Sequence, residues 1–242
     1  MSISIYCDSV GESKAINLWI RGWVFETYFI DYVVRQLWSD FSWNICEIGA
    51  GMGHKFQVLQ KFFPKAHFLG IEPSEWMRKR ALDDRWLHFR EWTLQETRLP
   101  DASQDVVCLF QVWHHIPRID YTKCIKEISR ILKPGGRIIL LDTFAPEPED
   151  NVTKQAIFDV LYRAYAVLSQ TPTPSFWKRC CKAIDSVLRP SGYKTWDYGH
   201  HAPIFSETRD ILEKWLWLKM CSESEKLCYW FSSEMYIFER NQ

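Results

Sequence analysis

The sequence predicts an α/β fold, a mainly parallel sheet with helices on both faces, and three observations predict it. Short apolar runs alternate with helical stretches between residues 43 and 143, and a glycine-bearing turn joins the first run to the first helical stretch. The 242 residues, 47% of them hydrophobic, suffice for one well-formed core. The chain reads as a single domain, 1–242, in four parts. These are an N-terminal helical cap (1–42), an alternating core (43–143), an inserted segment placed to act as a lid (144–188), and C-terminal strands with a helix (189–242).

Residues 14–38 carry Ile16, Ile20, Val24, Tyr28 and Leu37 at helical spacing, which predicts a long helix or a broken pair after Glu12-Ser13. Strands are predicted over 43–48, 67–71, 87–91, 106–110 and 137–142, with helices from the glycine turn to Phe63 and from Tyr121 to Leu132. Residues 145–150 form a polar, proline-bearing loop, and helical character follows, broken at Thr171-Pro172-Thr173-Pro174. The alternation resumes with a strand over 193–198, a helix over 207–220 and a last strand over 229–239. The final two strands are placed to pair antiparallel at one sheet edge.

Lys+Arg and Asp+Glu both number 30, and the resulting zero net charge argues against a nucleic acid held mainly by charge. The 8 cysteines show no CxxC pair, and Cys46 and Cys108 fall in apolar runs where a thiol serves as a small hydrophobe. A reducing compartment is expected. The opening residues lack the basic and apolar regions of a secretory signal, and no run approaches the length of a membrane span, so a cytoplasmic location without a membrane partner is expected. With 13 Trp, 10 Tyr and 15 Phe, the rings either thicken the core or line a site for something flat, apolar or cationic.

Glu47-Ile48-Gly49-Ala50-Gly51-Met52-Gly53 follows the first predicted strand. Glycines there permit a tight turn and let a ligand approach main-chain N–H groups with no Cβ in the way. Glu72, 19 residues past Gly53, ends the second strand, where a carboxylate can accept hydrogen bonds from both ribose hydroxyls. A dinucleotide turn would need its third glycine where His54 stands. Glu47, two positions before the first glycine, suits an ammonium group better than a phosphate. The expected ligand is a nucleoside bearing an amino acid.

Four blocks within residues 43–143 resemble a class I S-adenosylmethionine-dependent methyltransferase of the small-molecule type. They are the 47–53 loop, Gly70-Ile71-Glu72-Pro73-Ser74, Leu99-Pro100-Asp101-Ala102-Ser103-Gln104-Asp105-Val106-Val107, and Ile128-Ser129-Arg130-Ile131-Leu132-Lys133-Pro134-Gly135-Gly136-Arg137. The resemblance implies a Rossmann-like seven-stranded sheet in the order 3-2-1-4-5-7-6, with S-adenosyl-L-methionine as cofactor. It implies that Gly49, Ala50 and Gly51 line the methionine part, with Glu47 near its amino group or holding the loop. It puts Glu72 on the ribose, with Pro73 and Met77 flanking the adenine. Where the family often offers an acidic side chain to the adenine, this chain has Trp92-Thr93-Leu94-Gln95, so the Leu94 main chain and the Gln95 side chain are expected to serve. Gln111 matches a position facing the sulfonium, and Leu99-Pro100 and residues 133–136 are expected only to make turns.

A sulfonium methyl is already electrophilic, so such an enzyme needs in-line placement and, only for some acceptors, a base. Phe110-Gln111-Val112-Trp113-His114-His115-Ile116-Pro117 follows the fourth strand, and open α/β sheets bind ligands at the carboxyl ends of their strands. His114 and His115 are therefore candidate bases for a phenol, hydroxyl or acidic carbon, with a structural or substrate-shaping role as the alternative reading. His200-His201 are candidates for the same mouth. With no third ligand at metal-like spacing, no metal site is expected. Substrate contacts are expected from Tyr6, Trp19, Arg21, Trp23 and Tyr28 in the cap, from Trp113, and from Phe158, Tyr162, Tyr165, Phe176 and Trp177 in the insert. Helix packing competes as the explanation of each ring, and a surface salt bridge as that of Arg21.

Five tryptophans (43, 76, 86, 92 and 113) fall in the alternating core, and the other eight lie in the flanking segments, where a ring-rich cover suits an apolar acceptor. The resemblance thus implies a cytoplasmic methyltransferase acting at O, N or C of a small, largely apolar or aromatic metabolite, with no nucleic-acid partner and with oligomerisation left open. The alternative is an S-adenosylmethionine-binding enzyme of the same fold with a different reaction, such as a cyclisation. A nicotinamide-dependent dehydrogenase is disfavoured by His54. A nucleic-acid methyltransferase is disfavoured by the charge balance and by the lack of an Asn/Asp-Pro-Pro-aromatic block after the fourth strand.

Overall fold

The computed structural model describes residues 42–81, 87–144, 203, 205–216, 218–223, 227–228 and 232–240. In chain order these form β1 (Asn44–Ile48), α1 (His54–Phe62), β2 (His67–Ile71), α2 (Glu75–Arg78), β3 (Leu87–Arg90) and β4 (Gln104–Phe110). Then come 3₁₀ turns at Trp113–His115 and Arg118–Asp120, α3 (Tyr121–Ile131), β5 (Leu132–Thr143), α4 (Phe205–Leu216), β6 (Leu218–Glu223), β7 (Leu227–Cys228) and β8 (Ser232–Arg240).

The strands bond in the order β3-β2-β1-β4-β5-β8-β6, with β7 paired to β8 off that path. β1 to β5 run parallel. β8 is antiparallel to both β5 and β6, whereas the strand the sequence expects beside the last one, over 193–198, lies outside the described residues. This is the Rossmann-like order, with the eighth and sixth strands in the last two places, and β6 and the short β7 are strands the sequence did not announce.

Period-two alternation assigns the core to two faces. Cys46, Ile48, Val107, Leu109, Ile138 and Leu140 join the apolar face of α3 (Cys124, Ile125, Ile128, Ile131) and Leu212 of α4. Ile45, Val106, Cys108, Phe110, Ile139 and Leu141 pack with Phe56 and Leu59 of α1. By the same parity, Glu47 belongs to the α1 side and Asp142 to the α3 side.

Two boundaries differ from expectation. The helix expected over 207–220 stops at Leu216, because Leu218–Glu223 gains a ladder with β8. β5 begins directly after α3, and its register against β4 jumps from the Gln104–Leu132 pair to the Val106–Arg137 pair. Residues 133–136 bulge between them, and a Cβ on Gly136 would stand 2.8 Å from the Lys133 carbonyl oxygen, so the bend needs glycine there. The cap through residue 41, the insert expected over 144–188 from residue 145 onward, and the strand expected over 193–198 lie outside the described residues.

Candidate functional site

The carboxyl ends of β1, β2, β4 and β5 lie at one end of the sheet, and the turn after β1 rests on the end of β2. Gly49 N–H and Ala50 N–H both donate to the Ile71 carbonyl, at 2.8 and 3.2 Å. Gly51 N–H donates to Glu72 Oε2 at 2.8 Å. These three donors are therefore engaged within the protein, which corrects the expectation that the turn offers them to a ligand. The glycines act through shape instead. Gly49 has φ 67° and sits against Val112, where an added Cβ would approach Cγ2 to 2.7 Å. Gly51, at φ 59°, has no atom of the described residues within 4 Å of where its Cβ would be, so it borders open space among them. Ala50 is buried against Gly70, where a Cβ would come within 2.9 Å of the Ala50 methyl, so its side chain belongs to the core.

Glu47 is fully buried at the end of β1. Its Oε1 is ion-paired and hydrogen-bonded to Lys55 of α1, whose ammonium lies 5.4 Å from the Phe110 ring centroid. Its Oε2 is buried and has no hydrogen-bond partner among the described residues. Burial pushes the Glu47 carboxyl up to about 7, with Lys55 pulling it back only in part. A buried carboxylate oxygen lacking a donor is costly unless a ligand supplies one, and an ammonium group would.

Glu72 is also buried. Its two oxygens are divided between the Gly51 and Ser74 N–H groups, both at 2.8 Å, so it ties the glycine turn to the end of β2. Burial raises its carboxyl above the usual range, while those two N–H bonds oppose the shift. Each carboxylate oxygen can accept a second bond, so ribose hydroxyls remain compatible with this bracing. Ser74 caps α2 by accepting from Met77 N–H at 3.1 Å, and Pro73 is half-buried while Met77 is buried.

On the segment after β3, the Leu94 side chain is buried in the core, and Gln95 Nε2 donates to Asp120 Oδ2 at 3.4 Å. The Gln95 side chain is thereby held to the 3₁₀ turn before α3.

After β4, Gln111 adopts φ 56°, a left-handed conformation costly for a residue with a side chain, and its N–H donates to the Leu141 carbonyl at 2.7 Å. The next side chains divide. Trp113 is 1% exposed, stacks on Tyr121 with centroids 4.4 Å apart, and donates through Nε1 to Thr208 Oγ1 at 3.2 Å. Its ring is packed between the turn, α3 and α4, so the substrate contact expected of it gives way to a core role. His114 is buried, and its Nδ1 stands 2.7 Å from Oδ1 of the fully buried Asp142. The His114 main-chain N–H donates to Asp142 Oδ2 at 3.1 Å. The half-buried His115 lies with its ring centroid 4.1 Å from that of His114.

Asp142 is the site residue the sequence reading missed. Its signal was a carboxylate closing the otherwise apolar end of β5, in line with Glu47 on β1 and Glu72 after β2. Tyr6, Trp19, Arg21, Trp23, Tyr28, Phe158, Tyr162, Tyr165, Phe176, Trp177, His200 and His201 lie outside the described residues.

The sheet order, the glycine turn and the two buried glutamates at the strand ends define a Rossmann-like α/β protein. A family model described as a methyltransferase domain matches residues 46–140. The uncharacterized methyltransferase YdaC of Bacillus subtilis is 30% identical over 145 residues, covering 57% of this chain and 69% of that protein. YcgJ of the same organism is 26% identical over 43% of this chain and 42% of its own. A 6-hydroxytryprostatin B O-methyltransferase of Aspergillus fumigatus is 26% identical over 49% of this chain and 36% of its own, so the chain spans less than half of either of these two relatives. A chain in a complex described as that between the Haloferax volcanii Trm112 methyltransferase activator and a methyltransferase assigned without characterisation superposes with TM-score 0.68 at 12% identity, covering 100% of this chain and 98% of that one, which shows the fold. The chain belongs to the class I S-adenosylmethionine-dependent methyltransferase family.

Proposed function

We propose that this protein transfers the methyl group of S-adenosylmethionine to a small, largely apolar or aromatic acceptor. The observation that carries the cofactor reading is Glu47 Oε2, buried beside the glycine turn without a donor among the described residues. It fits the ammonium of the cofactor's methionine part. In this reading Glu72 takes the ribose, the space beside Gly51 takes the methionine chain, and Pro73 and Met77 are assigned to the adenine, which the half-buried Pro73 and the buried Met77 support. When bound, the cofactor supplies a methyl carbon on a positively charged sulfur, open to displacement by an acceptor lone pair. The chain's task is then placement, with water kept from the reacting atoms.

The strained Gln111 and the His114–Asp142 pair stand at the carboxyl ends of β4 and β5, the sheet end at which this fold binds ligands. The equal counts of acidic and basic residues and the ring-rich composition support a small apolar acceptor over a nucleic acid. The 6-hydroxytryprostatin relative, named as an O-methyltransferase, points the same way. No described helix is long and apolar enough to cross a membrane, and a cytoplasmic location is part of this reading. Incubation of the full chain with S-adenosylmethionine and a panel of phenols, indoles, quinols and amines, followed by mass spectrometry, tests it. The expected result is S-adenosylhomocysteine released in step with a product heavier by one CH₂. Conversion of an acceptor without that mass gain would favour a non-transferase reaction in the same pocket.

A further inference from the structure

Lys55 stands second in α1, where the helix macrodipole disfavours a cation, and no acidic residue of that first turn offsets it. Its ammonium is instead ion-paired and hydrogen-bonded to Glu47 Oε1 and lies over the Phe110 ring, while the side chain keeps 26% of its surface exposed. Glu47 itself is fully buried, and its Oε2 has no hydrogen-bond partner among the described residues. The other titratable groups acting on this pair supply no second cation. Glu72 is acidic, burial keeps the Cys46 and Cys108 thiols neutral, and partial burial and the Lys55 charge push His54 below its ordinary range.

Two opposite charges are thus placed side by side next to the glycine turn, one with an acceptor to spare and one within reach of solvent. Their sum is zero. A lone ammonium settling on Oε2 would leave this corner with a net positive charge that burial penalises, whereas an amino acid brings an ammonium and a carboxylate whose own sum is zero. The Lys55 ammonium has three donors and gives one to Glu47. Donors remain for a carboxylate, at the end of α1 where the macrodipole also favours an anion.

We propose that Lys55 is a specificity-determining residue: paired with Glu47, it makes the turn take a ligand's ammonium and carboxylate together and discriminate against a nucleoside that carries an ammonium alone. The proposal rests on the cofactor reading above and deepens it, since it names the charge pattern that the site selects. A lysine that only neutralised Glu47 within the fold would lower stability when replaced but would not sort ligands by their carboxylate.

The test is calorimetry of the full chain with three probes that share the nucleoside. These are S-adenosylhomocysteine, its decarboxylated analogue, which keeps the ammonium alone, and 5′-methylthioadenosine, which has neither charge. Both amines call for ionised Glu47, so the ratio of their affinities cancels any change in its ionisation and reports the carboxylate alone. The wild type is expected to bind S-adenosylhomocysteine at least about tenfold more tightly than the decarboxylated analogue. In Lys55→Met that ratio is expected to fall at least about tenfold, and in Lys55→Arg, which keeps the charge, to stay within about threefold of the wild type. The 5′-methylthioadenosine affinity should be the same in all of them.

An unchanged ratio in Lys55→Met would overturn the proposal, and so would an equal loss of all the probes, which would make the role structural. If Lys55→Met does not fold, Lys55→Gln takes its place under the same expectation. Equal wild-type affinities for S-adenosylhomocysteine and its decarboxylated analogue overturn the proposal without any variant and leave the cofactor reading standing. A wild type that binds none of the probes would refute the cofactor reading itself, and the proposal with it.

Discussion

The two glycines at the ends of the Gly51-Met52-Gly53 stretch share a positive φ and have opposite surroundings among the described residues, so alanine substitution should separate folding from binding. Both lie in the left-handed region, at φ 59° for Gly51 and 81° for Gly53, where an L side chain costs about 1–2 kcal/mol. At Gly53 the new methyl would also meet Leu87 Cδ2 at 2.6 Å and Phe89 Cζ at 3.0 Å. Overpacking of that kind adds about 1–3 kcal/mol, for a total of roughly 2–5 kcal/mol. At Gly51 nothing among the described residues lies within 4 Å, so the conformational cost of about 1–2 kcal/mol stands alone, and the methyl projects into the space assigned to the cofactor. Urea unfolding at fixed pH gives the stabilities, and S-adenosylhomocysteine calorimetry under conditions where both variants are folded gives the affinities. Gly53→Ala should lose more stability than Gly51→Ala yet keep most of its affinity. Gly51→Ala should bind at least about tenfold more weakly, which is about 1.4 kcal/mol. Wild-type affinity in Gly51→Ala would refute the placement of the cofactor at this turn.

Other expectations follow from buried groups. The Glu47 carboxyl is raised by burial to about 7 from an ordinary 4.5, so the folded state holds this proton more tightly than the unfolded chain. Its contribution to stability is therefore greatest below about pH 4.5 and falls as pH rises to about 7; urea midpoints across that window should show a decline that Glu47→Gln lacks. A ligand ammonium calls for the ionised form, so S-adenosylhomocysteine affinity in the wild type should climb with pH to about 7 and then level, and a pH-independent affinity would remove Glu47 from the site. Trp113→Ala should cost about 3–5 kcal/mol by chemical denaturation, whereas a loss below about 1 kcal/mol would show that the ring is not core. Cys46 and Cys108 are free, buried thiols whose ionisation burial opposes, with the Glu47 charge adding to it. Peptide mapping after brief alkylation should find both unmodified in the native protein and modified after unfolding.

The parts of the fold that could be read in the sequence are those fixed by local rules. β1, the glycine turn, α1 and β2 follow from apolar alternation and from positions where φ must be positive, and Glu72 follows from its distance to that turn. The end of α4 could not be read in this way, because Trp215-Leu216-Trp217-Leu218 satisfies both a helical and an alternating pattern. The long-range ladder between β6 and β8 breaks the tie, and no local window contains it. The site shows the same division. Glu47 and His114 were legible as residue types at strand ends. That Gly51 N–H is spent on Glu72, that Trp113 points into the core, and that Asp142 holds His114 all depend on register between segments 20 or more residues apart.

The account's central claim is that the carboxyl ends of β1 and β2 hold an amino-acid-bearing nucleoside, with Glu72 at its ribose and bracing the turn beside it. Calorimetric titration of S-adenosylhomocysteine into the wild type and into Glu72→Ala tests this most directly, with circular dichroism confirming that the variant is folded. The account predicts saturable binding with one ligand per chain in the wild type and no measurable binding in the variant. Equal affinity in the two proteins, or no binding in the wild type, would contradict it.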